Sequence, residues 1–225
     1  MLFEMFNSVQ AGIRQEKKLD LTTNHLANAD TNGFKADILS FDEILRAKVT
    51  SDFTQGDMKF TENKLDLGLE GRGFFKVKTN DGIRYTRDGN FTLNKEGMLV
   101  NHNGFPVLGN GSEIFINGKD VSIGESGEIN VDGEFAGNVD VVTFKSFSKI
   151  QKKEGLNLYV YNGDPADEIS DQSAKVKQGY LERSNISVVS EMTKMIEISR
   201  HYEAIQKMIR SIDETDTKAL EIARI

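Results

Sequence analysis

The sequence contains no cysteine. That absence excludes disulfides, thiolate nucleophiles and cysteine-ligated zinc together. It leaves the redox compartment open, because such a chain is equally safe in an oxidising or a reducing one. No apolar run approaches the ~20 residues of a membrane span, so no membrane insertion is expected. Met1 to Phe6 show neither a basic n-region nor a sustained apolar stretch, so no cleaved secretory signal is expected either. Basic residues are neither in excess nor clustered: 28 Lys and Arg against 35 Asp and Glu leave a net charge of −7. A phosphate backbone demands a positive track, so nucleic acid is not a partner. Apolar residues are scarce too, 38% against the usual ~45–50%. For 225 residues that fits a chain whose ends do not bury themselves in its own core.

What the sequence does have is two helical ends around a glycine-rich middle. Near the C-terminus Met195, Ile198, Tyr202, Ile205, Ile209 and Ile212 follow one another in steps of three and four. Near the N-terminus Leu2, Met5, Val9, Gly12, Leu19 and Leu26 keep the same rhythm less perfectly, helped by Phe6 and Ile13. Such steps place residues on one narrow seam of a helix. The first helix is expected over about Leu2 to Leu26, ended by Asn28, Asp30 and Asn32-Gly33. The last is expected from Ser187, a plausible N-cap without a capping box, since Ser190 stands where Glu would close it. It continues for roughly 35 residues without glycine or proline, longer than the ~8–20 of a usual globular helix.

Between them, Ala36 to Lys48 permits a short helix or an extended arm, and Thr50 to Lys64 reads as a linker. At Leu65 the period becomes two: Leu65, Leu67 and Leu69 alternate with Asp66, Gly68 and Glu70, as in a half-buried strand. Fourteen of the twenty glycines lie between Gly68 and Gly137. Many sit in turn pairs such as Asp81-Gly82, Asp88-Gly89 and Asn103-Gly104. Strands are expected at Phe91–Leu93, Ile114–Ile116, Ile129–Val131, Val139–Phe144 and Leu156–Tyr161, then a polar stretch to Gln178. The expected fold is α+β: N- and C-terminal helices packed as a coiled-coil-like pair, with a central antiparallel β-rich domain. Its parts are 1–35, a first assembly helix and exit turn; 36–64, a connecting segment; 65–178, the β-rich domain; and 179–225, the second assembly helix.

Catalytic constellations are poor. His25, His102 and His201 stand apart, with no metal-ligand spacing and no nucleophile motif, and read as solvated. Gly68 to Gly73 runs G-x-x-G-x-G, and Phe74 to Val77 after it reads as strand. A phosphate cradle needs a helix start there. Acidic pairs such as Asp66/Glu70 and Asp164/Asp167 fit no calcium loop. No catalytic residue, cofactor or metal is expected. From the residues alone, a surface binding module or a polysaccharide-active enzyme with two carboxylates ~5–10 Å apart stays open beside an assembly subunit. The seams themselves fit helices packed within one chain or covered by neighbouring subunits.

Asn24-His25-Leu26-Ala27-Asn28-Ala29-Asp30-Thr31-Asn32-Gly33-Phe34-Lys35 resembles the N-terminal signature of flagellar basal-body rod and hook proteins. Its family positions are Asn24, Leu26, Ala27, Asn28, Thr31, Gly33, Phe34 and Lys35. His25 stands where a second asparagine is common, and Asn32 where proline is frequent. Leu65-Asp66-Leu67 with Glu70 to Phe75, and Tyr85 to Phe91, resemble the start of the family's central domain. Gly179 to Glu182, Ser184-Asn185, Glu191-Met192 and Arg200 to Glu203 complete the resemblance. The short 36–64 segment and single central domain are similar to the F-type rod protein, while Gln55-Gly56 to Asn63 is similar to the distal-rod, G-type one.

The resemblance implies a structural subunit without catalysis, exported by the flagellar type III export apparatus without a cleaved signal. It implies helical polymerisation in the periplasm with other flagellar rod subunits and neighbouring axial proteins, through the terminal helices. The seam residues named above would be the assembly interface. At the exit turn Gly33 is expected in the left-handed region, with Phe34 packed against helical neighbours and Lys35 in water.

Overall fold

The computed structural model describes residues 2–42, 46–153, 155–170 and 174–222. Helix α1 spans Leu2–Ala27 and helix α2 spans Val188–Ile222, with every strand between them. Contacts between the two helices show that they run antiparallel. Ser8 Oγ reaches Met208 Sδ at 3.5 Å, a Cβ on Gly12 would lie 3.9 Å from Ile205 Cγ2, and His25 meets Glu191.

The pair is not coiled-coil-like, and that expectation is corrected. A coiled-coil seam needs large apolar knobs from both helices. Among the described side chains of α1, the buried ones are Ser8, Thr22 and His25, with Ala29 just past its end. Met5, Phe6, Val9 and Ile13, expected on the seam, are 44–58% exposed. The inward line of α1 therefore lies about one position round from the apolar line and is made of small and polar side chains. On α2 Met195, Ile198, Ile205, Ile209 and Ile212 are only half-buried, and Tyr202 is exposed. Leu19 and Leu26 are half-buried as well. Leu2 lies in α1, but its side chain is outside the described residues.

The middle is organised by one six-stranded antiparallel sheet. Its order is Ile150–Lys152, Tyr159–Tyr161, Gly82–Thr86, Phe74–Thr79, Val141–Phe144 and Glu168–Ser170. Successive side chains of a strand point to opposite faces. Phe74 and Phe75 therefore enter different cores. Phe75, with Val77, Phe91, Leu99 and Ile129, belongs to the larger one. Phe74 joins Tyr85, Val142, Phe144, Ile150 and Tyr159 in the smaller, aromatic one. In the second, the Tyr85 and Phe144 rings meet edge to face at 4.8 Å, a favoured geometry.

Around this sheet sit smaller antiparallel pieces, including a three-stranded one of Val121–Ile123, Glu128–Val131 and Glu134–Asn138. Two ladders join the chain's way in to its way out. Met58–Phe60 pairs with Tyr180–Glu182, and Leu67–Glu70 pairs with Lys175–Gln178. Both helices consequently leave the β domain at one place.

Several local expectations change. The segment after the exit turn is extended, a hairpin of Asp37–Phe41 with Ala47–Ser51. Leu67, Gly68 and Leu69 are all buried, so this strand is covered on both faces rather than half-buried. Ile114–Ile116 forms no strand; Ile114 and Ile116 fill the larger core from a loop, with Phe115 held by a single bridge to Met98. The polar stretch before Gln178 contains the strands Glu168–Ser170 and Lys175–Gln178.

Replacing Phe75, fully buried, with alanine should cost about 3–5 kcal/mol. The same change at Phe135, 65% exposed, should stay within about 0.5 kcal/mol. Urea unfolding of the two variants measures both, and similar losses would contradict the two-core arrangement.

Candidate functional site: the joint between helices and β domain

The segment that leaves α1 turns back through its own polar side chains. Asn28 Nδ2 donates to Asn24 O at 2.9 Å, and the Thr31 hydroxyl donates to Asn28 Oδ1 at 3.3 Å. Asparagine and threonine suit such turns because they bond backbone and each other locally. Gly33 then takes φ +64° and donates its N–H to Glu182 O at 2.7 Å. A Cβ here would stand 2.4 Å from both Arg87 C and Asp88 N. Glycine is required twice, for the left-handed backbone and for the close approach.

Lys35 is not in water. It is fully buried, and its ammonium donates to Glu182 Oε1 at 2.6 Å and to Thr54 O at 2.6 Å. The expected wet lysine is thereby corrected, for a physical reason: its charge is answered on the spot. Glu182 Oε1 also accepts the Gly56 N–H at 2.9 Å, and its Oε2 accepts from Arg87 Nε at 2.9 Å. Arg87 spends its remaining reach on Gly71 O and Gly73 O, at 2.9 and 2.7 Å. One buried carboxylate thus stands between two buried cations, and backbone carbonyls take the spare N–H groups. Burial is the largest influence on Lys35 and pulls its ammonium below the ordinary lysine range. Glu182 opposes that pull, and Arg87 adds to it.

The rest of the joint is tied to the same point. Phe34 is buried and carries the Lys152 ammonium 3.1 Å from its ring centroid, a cation–π contact with the β domain. Burial lowers Lys152 to about 8, with Asp37, 3.8 Å away, pulling the other way. Asn185, just before α2, accepts from Ala36 N–H at 2.8 Å and donates to Asp52 O at 2.9 Å. His25, read as solvated, is buried between α1, α2 and the hairpin. His102 and His201 are exposed.

Of the signature positions, Gly33, Phe34 and Lys35 enter this joint directly. Asn24, Asn28 and Thr31 shape the turn, while Leu26 is half-buried and Ala27 exposed. Arg87, Glu182 and Asn185 were missed as site residues. Each stands in a stretch that carries the resemblance; for Arg87 and Glu182 the charge inside such a stretch was the available signal, and the neutral Asn185 offered none. Of the expected interface residues, Met5, Phe6, Val9 and Ile13 face outward at the far end of α1.

Comparison with known proteins covers the whole chain. Residues 68–131 match the family described as flagellar hook protein FlgE/F/G D1 domain. Residues 177–222 match flagellar basal body rod FlgEFG protein C-terminal. The flagellar basal-body rod protein FlgF of Caulobacter vibrioides is 36% identical over 96% of this chain and 98% of its own length. The flagellar hook-basal body complex protein FlhO of Bacillus subtilis is 30% identical over 100% of both chains. The flagellar basal-body rod protein FlgG of the same organism is 28% identical, also over 100% of both.

Glu182→Gln leaves two cations in contact with no anion, so it should cost about 3–5 kcal/mol. Lys35→Met leaves the Glu182–Arg87 pair whole and should cost less. Denaturant midpoints of the two variants give the comparison, and the reverse order would refute the assignment of Glu182 as the centre. Gly33→Ala should lose more than the ~1–2 kcal/mol of a left-handed residue alone. Gly137→Ala, where no atom lies within 4 Å of the added Cβ, provides the reference.

Proposed function

The chain belongs to the flagellar basal-body rod protein family, and we propose that it is an F-type rod subunit polymerising helically through its terminal helices into the torque-transmitting shaft. It is a structural subunit of the basal-body rod, and assembly with other axial subunits comes with that family. Export through the flagellar type III apparatus without a cleaved signal, and a periplasmic site of assembly, belong to the same reading. So does the absence of any catalysed reaction.

The observation that carries the proposal is the outward apolar surface of the helices. Met5, Phe6, Val9 and Ile13 on α1 are exposed. On α2 Val189 is 76% exposed, with Met192 and Ile196 also open. Large apolar side chains in rows mark a surface that another protein covers. The two rows lie at opposite ends of an antiparallel pair, so a contact between one row and the other of the next copy is heterologous. Such contacts generate an open helical assembly when the rotation between copies does not close into a ring. Residues 1–35 and 179–225 form the shaft-building part in this reading, 65–178 the outward domain, and 36–64 the connection.

Ile13→Asp and Met192→Asp place charge on surfaces exposed in the isolated chain. Unfolding of the purified variants should stay within about 0.5 kcal/mol of the parent, while cells carrying them lose complete rods and swimming. Basal bodies counted by electron microscopy give the result. Normal rods and motility in both variants would overturn the proposal.

A further inference from the structure

His25 plays no part in the assembly surface just described, yet its surroundings are fully specified. It lies in the last turn of α1 and is 5% exposed. Its Nδ1 is 3.1 Å from Glu191 Oε2 in the first turn of α2. Its Nε2 is 2.9 Å from the backbone nitrogen of Asp37, the first residue of the hairpin. A backbone N–H only donates, so Nε2 must present a lone pair. The ring proton then sits on Nδ1 and is donated to Glu191. Two heavy-atom distances thus assign both the neutral state and the tautomer.

Among the described residues, charged groups meet the ring's surroundings from α2 and from the hairpin. From α2 comes Glu191, whose Oε1 also receives the Lys194 ammonium at 2.6 Å. Burial pushes its carboxyl up, but the bonds from Lys194 and His25 outweigh that and hold it below the ordinary range. From the hairpin comes the Asp37 carboxylate, which accepts the Ser51 hydroxyl at 2.6 Å and lies 3.8 Å from the Lys152 ammonium of the β domain.

We infer that His25 is a proton-operated joint: neutral, it ties the hairpin to both helices, and protonated, it releases the hairpin while keeping hold of α2. The two sides of the ring respond oppositely to one proton. On the Glu191 side the bond survives and becomes charge-assisted. On the Asp37 side the acceptor becomes a donor pointing at another donor, and the bond is lost. Acid therefore loosens the connection between α1 and the hairpin without separating the helices. This inference does not depend on the rod assignment.

The test is made on the full-length chain by NMR, reading the 15N–15N coupling across the hydrogen bond between the Asp37 amide and His25 Nε2. At about pH 8 the coupling is expected, with the ring proton on Nδ1. By about pH 5, the lower end of the range in which histidine changes charge, it should vanish while amide resonances along the α1–α2 contact stay in place. In His25→Gln an amide oxygen replaces Nε2 as a non-titrating acceptor, so the Asp37 amide resonance should lose its pH step. A coupling that persists at pH 5, a proton on Nε2 at pH 8, or an unchanged step in the glutamine variant each overturns the inference. The native titration decides alone if that variant fails to fold.

Discussion

One buried carboxylate holds the architecture together. Glu182 receives Lys35 from the segment leaving α1 and Arg87 from the β domain, and it sits itself on the strand leading back out to α2. Three separate parts of the chain meet at its two oxygens. A buried ion cluster of this kind is weak evidence for stability, because desolvation offsets much of the attraction. Its value here lies in geometry: two cations and one anion with fixed hydrogen-bond directions admit one arrangement of the three segments. Gly33 makes the approach possible, since only a residue without Cβ lets the exit turn lie against the Arg87–Asp88 backbone.

The apolar parts complement that polar centre. Phe74 and Phe75 commit one sheet to two cores, so the β domain is covered on both faces and holds its own shape. The helices follow a different rule. On the α1 side their mutual contact is lined with small and polar residues, and the larger apolar side chains of both helices are spread between half-buried and exposed positions. A chain arranged this way has a rigid interior in the middle and unsatisfied surface at its ends. That division matches a subunit whose middle is finished and whose ends are completed by neighbours.

Much of this was legible in the residues. Steps of three and four located both helices, with starts expected at Leu2 and Ser187 and found at Leu2 and Val188, because that local period has little alternative to a helix. The glycine turn at position 33 was legible from Asn32-Gly33 for the same local reason. What failed was the rotation of α1: its apolar line and its buried line differ by one position, and only the partner helix decides which faces inward. Lys35 and His25 were misread because a polar residue is normally solvated, and the partners that reverse this, Glu182 and Glu191, lie 147 and 166 positions away. The segment after the exit turn was undecided because its apolar residues fit either period, and hairpin pairing settled it.

The two ladders between the inbound and outbound strands carry one more consequence. Leu67 faces Gln178 across a single strand spacing, which is about 4.8 Å. Everything from 68 to 177 is therefore an insertion whose two ends nearly touch, tied to the helical exit by Arg87 at Glu182 and Lys152 at Phe34. Those parts of it that lie away from these contacts can change in length while the paired ends hold the helices in place. The β domain and the helical ends are in that sense two units joined at one seam.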